Sequence, residues 1–201
     1  MERTSFRDRY FRDYSRKIVM DRDTGATHVE FVYEGVYYTA AMTAKNWRRR
    51  KVLLAAAVVL SAFLLLSAMT VDVPANRGTD VVLMETAVLF LLLGDGVGAV
   101  SRLMAKPRMT RQEYRMGVKT LTECSGLAAV VLVMLLLDLG VSFGLGRWPW
   151  QGELVGLRIR LVLLVSLCTG LYYAVKGERY TAEQSHDLPH GIDITDDFVN
   201  F

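Results

Sequence analysis

Cysteine is scarce in this chain of 201 residues: there are two, Cys124 and Cys168, each inside a long apolar run. That excludes a disulfide framework. Lacking a Cys-x-x-Cys partner, they read as small packing residues rather than a redox pair. Proline is nearly as sparse, and all four (Pro74, Pro107, Pro149, Pro189) fall outside the apolar runs. Proline breaks the helical hydrogen-bond ladder, so its confinement to the gaps marks the runs as continuous helices. No phosphate loop, dinucleotide glycine motif, serine elbow or zinc-protease helix occurs, which argues against an enzyme and against a bound cofactor. His186 and His190 flank Asp187. Pro189 between them spoils a helical pair, and without a third ligand the cluster argues against a metal. A net charge of +3 is too small to point to nucleic acid. The first apolar run starts too late for a cleaved secretory signal, and no internal repeat or low-complexity tract is visible.

What is present is segregation. The chain is 52% hydrophobic yet 22% charged, and the two classes occupy separate long blocks, the signature of a membrane protein. Arg48-Arg49-Arg50-Lys51 runs straight into nineteen uncharged residues, 52–70. As a helix these rise about 28 Å, close to the thickness of bilayer hydrocarbon. Three further runs are predicted to span at 81–104, 117–143 and 154–175. The last has only fifteen uncharged residues, so a three-span chain with an interfacial fourth helix is the competing parse. Thr110-Arg111-Gln112-Glu113 is a capping box that starts the third helix. Trp148 and Trp150, and at the other end Tyr172 and Tyr173, suit the two membrane interfaces. Of the 24 lysines and arginines, twenty lie before residue 52, between 102 and 119, or after 175. Cationic loops stay in the cytoplasm, so both termini and the middle loop are expected there.

The N-terminal region, 1–46, precedes the transmembrane domain, 47–176, and an acidic tail, 177–201. Phe6, Tyr10 and Tyr14 recur every four residues beside arginines, which suits an anionic membrane surface or a basic arm packed on the next element. About 16–42 reads as an antiparallel β-meander. A turn at residues 22–25 sets Ile18 opposite Val29. A two-residue turn at Glu34-Gly35 then pairs Tyr33 with Val36, Phe31 with Tyr38 and Val29 with Ala40, making one apolar face. The expected fold is therefore an all-α integral membrane protein, a four-helix transmembrane bundle with a small cytoplasmic β-meander at the N-terminus.

Ionisable residues within spans are costly and so are candidates for function. By depth they form two layers. The outer one holds Glu85, Asp138, Arg158 and Arg160, two acids against two bases, expected to make structural intramembrane ion pairs. The inner one holds Asp95 and Glu123, without an evident cation, as candidates for ion or proton binding. Gly94 and Gly98 around Asp95 form a small-xxx-small helix-packing pair. The sharper alternative is a locally unwound helix whose carbonyls and Asp95 coordinate a cation. The leading functional expectation is a non-enzymatic accessory or scaffolding subunit of a membrane complex. Its partners would be the lipid bilayer and a cytoplasmic protein, or further copies of itself. The alternative is a small ion- or proton-coupled transporter. A plasma membrane is the expected location.

Overall fold

The computed structural model describes residues 13–21, 24–146, 152–185 and 192–193. Phe6, Tyr10, Trp148, Trp150, His186 and His190 lie outside them. The chain is mostly helical and divides into two compact units, one helical and one β.

The helical unit is built from α1 (Ala44–Met69), α2 (Thr79–Met104), α3 (Arg111–Gly144) and α4 (Gly152–Lys176). Each is long and apolar enough to cross a membrane. α1 begins eight residues before the uncharged run, where Thr43 accepts from the Asn46 amide, so the cationic block lies within the helix. α3 starts where the capping box marks it and passes through one π turn, Arg115–Lys119. Between α1 and α2, Asn76 Nδ2 donates to the carbonyls of Ala68 (2.9 Å) and Val71 (2.8 Å). Both carbonyls, in the last turn of α1 and just past it, also accept a backbone amide, so the side chain reinforces the turn.

Buried positions step by alternating threes and fours. On α3 they are Leu121, Ser125, Ala128, Leu132, Leu135, Leu139 and Ser142. On α4 they are Leu154, Leu157, Leu161, Leu164, Cys168, Leu171 and Val175. A repeat averaging 3.5 residues is the seam of helices that pack as in a coiled coil. Leu65, Leu92, Leu132 and Leu161, one from each helix, belong to a single core.

In the β unit, β1 (Tyr14–Met20) pairs antiparallel with β2 (Thr27–Tyr33), with Ile18 opposite Val29, the register read from the turn chemistry. Gly25 takes a left-handed φ of +67°, and its amide donates to Asp21 O at 2.9 Å. Arg22 and Asp23 of that turn lie outside the described residues.

The second half of the meander does not form. β3 (Val36–Ala40) leaves β2 and joins another sheet, between β4 (Arg108–Met109) and β5 (Tyr180–Gln184), while β6 (Ile192–Asp193) adds to β1. A two-residue hairpin needs a positive φ at a central residue, and Gly35 has none. Instead, Gln184 Nε2 donates to Glu34 O (2.7 Å) and the Ser185 amide to Gly35 O (2.9 Å). The tail thus satisfies the bend that a β2–β3 ladder would have used. With β3 elsewhere, the face expected to be covered is open: Phe31 is 60% and Val29 42% exposed, while Val19 and Val32 on the opposite face are buried.

Tyr33 closes this unit. Its hydroxyl donates to Val36 O (3.0 Å) and accepts from the Arg111 amide (3.0 Å). Burial holds that hydroxyl above the ordinary tyrosine range, against the opposing pull of the Arg111 bond.

Candidate functional site

α2 runs unbroken through Gly94-Asp95-Gly96, so the glycines do not unwind it and free no carbonyls for a cation. They allow close approach. A Cβ on Gly94 would stand 2.7 Å from Cys124 Sγ, and one on Gly98 would stand 3.1 Å from the Leu121 backbone. One turn further on, Gly117 of the π turn lies against the Arg102 backbone in the same way, at 3.3 Å. The three contacts set an antiparallel α2–α3 register in which Asp95 faces the level of Ser125.

Asp95 is fully buried, and neither carboxylate oxygen has a hydrogen-bond partner among the described residues. The Ser125 backbone and the Cys168 thiol lie beside it, and Cys168 in turn is within hydrogen-bonding reach of Ser61. Ser61, Ser125 and Cys168 are each 0% exposed. Every helix therefore places one polar side chain at this level: Ser61 from α1, Asp95 from α2, Ser125 from α3 and Cys168 from α4. Ser61 and Ser125 escape a search for ionisable groups. Each falls on its helix's 3.5-residue seam, which burial reveals and the sequence does not.

Glu123 does not share this centre. Its side chain is 62% exposed and pairs with Lys119 at 3.6 Å one turn away. The π turn and the following residues set Leu121 and Ser125, not Glu123, on the seam.

The outer layer also differs from the expected ion pairs. Among the described residues no salt bridge joins Glu85 or Asp138 to Arg158 or Arg160. Arg158 Nη2 donates to Leu139 O (3.2 Å), and its guanidinium stacks 4.8 Å from the Phe143 ring centroid. Arg160 Nη1 donates to Ser67 O at 2.8 Å. The two arginines are about 200° apart around α4, so one reaches α3 and the other α1. Ser67 lies in the last turn of α1 and Leu139 five residues before the end of α3, in helix halves where the dipole favours a cation. Glu85 is 2% exposed and its Oε1 has no partner among the described residues. Asp138 is half-buried.

A charged cluster that sequence reasoning missed lies at the other end of the helices. Arg102, in the last turn of α2, is 1% exposed and ion-paired with the buried Glu178 just beyond α4. Its guanidinium lies 4.8 Å from the Trp47 ring centroid. Arg50 Nε stands 3.6 Å from the same carboxylate. Lys51 Nζ donates to the carbonyls of Leu103 (2.6 Å) and Ala105 (2.8 Å), closing the end of α2. Glu178 lies 76 residues from Arg102 in the chain, so no local pattern links them.

Among the described residues no three His, Cys, Asp or Glu side chains converge as a metal site would require. Comparison with known protein families, with curated proteins and with solved structures finds no match to this chain.

Proposed function

We propose that this chain is a four-span protein of the plasma membrane that serves as a non-enzymatic subunit, presenting a cytoplasmic β platform to a protein partner. One observation carries the reading. The N-terminal strands, the 108–112 connection and the 180–193 tail, separated from one another by pairs of long helices, join in a single β unit. The first two segments carry lysines and arginines, and the tail follows Lys176 and Arg179, cations that favour the cytoplasm. The connection between α1 and α2 is a short turn by contrast.

Membrane insertion is supported by what the helices leave outside their seams. Phe63, Phe90, Leu137 and Leu163, one per helix, are between 51% and 69% exposed, and apolar surface on every outward face suits lipid. Docking is supported by Phe31 and Val29, adjacent same-face positions on β2.

A photoreactive amino acid at Phe31, irradiated in native membranes, is expected to give one discrete adduct with a second polypeptide. Adducts with lipid alone, or none, would sink the reading.

A further inference from the structure

We propose that Asp95 is a proton-binding site at the centre of the four helices, with its carboxyl hydrogen-bonded, when protonated, among Ser61, Ser125 and Cys168. This goes beyond the docking reading and does not depend on it.

Three features of the centre carry the inference. Asp95 is completely buried with both oxygens unpartnered among the described residues, and an isolated carboxylate in such surroundings is costly enough that the group takes up a proton instead. The neighbouring hydroxyls complement the acid rather than the anion. Ser61 Oγ donates to Ala57 O (2.9 Å) and Ser125 Oγ to Leu121 O (2.6 Å). Each serine has thereby committed its one donor to its own helix and offers only lone pairs. An ionised carboxylate, itself only an acceptor, finds no donor in these hydroxyls and only the Ser125 backbone amide nearby, whereas the protonated acid brings a donor of its own. Lastly, a metal cation is poorly served. α2 is unbroken and frees no carbonyls, which leaves two carboxylate oxygens and two hydroxyls, fewer than the six or more oxygens a hard cation collects.

The charged and titratable groups around the site are few. α1 presents only Ser61. α3 presents Cys124, with Glu123 beyond it but exposed and paired with Lys119. α4 presents Cys168. On α2 itself the nearest cation is Arg102, two turns away and held by Glu178. None of them supplies a counter-charge to an ionised Asp95. Proton uptake is the simple association of the carboxylate with H⁺, with no co-reactant.

The test uses the full-length chain in phosphatidylcholine vesicles, treated with dicyclohexylcarbodiimide, which reacts with protonated carboxyls in apolar surroundings. Peptide mapping of the wild type is expected to show an adduct on Asp95 whose rate of formation falls as the pH of treatment rises, by about tenfold per unit once the carboxyl is mostly ionised. Sodium or potassium at fixed pH should leave it unchanged. Infrared spectra at neutral pH are expected to contain a protonated-carboxyl carbonyl band that Asp95→Asn removes. Protection by sodium or potassium would make this a cation site and overturn the proposal. So would an unlabelled Asp95 together with identical carbonyl bands in wild type and variant.

Discussion

Arg102 and Glu178 are charged residues that the fold buries almost completely, and they survive there because they are buried together. Desolvating either alone is expensive, and the Trp47 face and the mutual charge return part of that. Removing one partner strands the other. Glu178→Ala and Arg102→Ala are each expected to destabilise the chain by about 3–5 kcal/mol. The double change Arg102→Met with Glu178→Leu should cost much less than the two single losses together. Unfolding of the three variants in detergent or lipid checks this, and strict additivity would show that the pair is not coupled. Tyr33 offers a second test, in the β unit. Its hydroxyl is held above the ordinary value of 10.0 chiefly by burial, so the folded chain retains that proton more tightly than the unfolded one. The contribution is therefore complete below about pH 10 and is lost as pH rises through the folded-state value. Hydrogen exchange of the β1 and β2 amides should accelerate in that alkaline range. Tyr33→Phe should remove this pH step and cost about 1 kcal/mol at neutral pH through its two lost hydrogen bonds.

At the scale of elements, the helices are distinguished by their seams more than by their hydrophobicity. Gly98 stands against the Leu121 backbone, whereas a Cβ at Gly96 would meet nothing within 4 Å. Gly98→Val should therefore force α2 from α3 and destabilise by about 1–3 kcal/mol. Gly96→Ala should leave stability equal or raised, since alanine favours helix more than glycine does. Paired unfolding measurements distinguish a packing face from a general glycine requirement. The four helices could be read from apolar length and proline placement, and α1 and α2 end within a residue of the expected boundaries. Which face of each helix turns inward could not. Leucine and valine occupy both the buried seam and the exposed face, so hydropathy carries no contrast around the axis. The β1–β2 register was legible because turn chemistry and alternation agree. The fate of β3 was not, since its partners come from residues 108–109 and 180–184.

At the scale of the whole molecule, the orientation deduced from charge makes a sharp prediction. In a background lacking Cys124 and Cys168, Arg77→Cys is expected to react with a membrane-impermeant maleimide on intact cells. Lys106→Cys should react only after permeabilisation. Labelling of both, or of Lys106→Cys alone, on intact cells would reverse or remove the four-span topology. The same orientation, if the labelling upholds it, accounts for a β unit that draws on three distant stretches of chain, 14–39, 108–112 and 180–184. Helices that cross an even number of times return the chain to the side where it began.

The sequence by itself determined the number of long apolar helices, their approximate limits and the β1–β2 pairing. Apolar length, proline placement and turn residues are local properties, and local chemistry suffices to decide them. Only the tertiary structure decided which polar residues matter together. It separated Asp95 from Glu123, gave Asp95 the company of Ser61, Ser125 and Cys168, and turned Arg102 from part of a basic break into a buried ion pair. Those groupings depend on the rotation and register of packed helices. A one-residue step turns a side chain by about 100°, which is enough to move an acid from the seam to the surface.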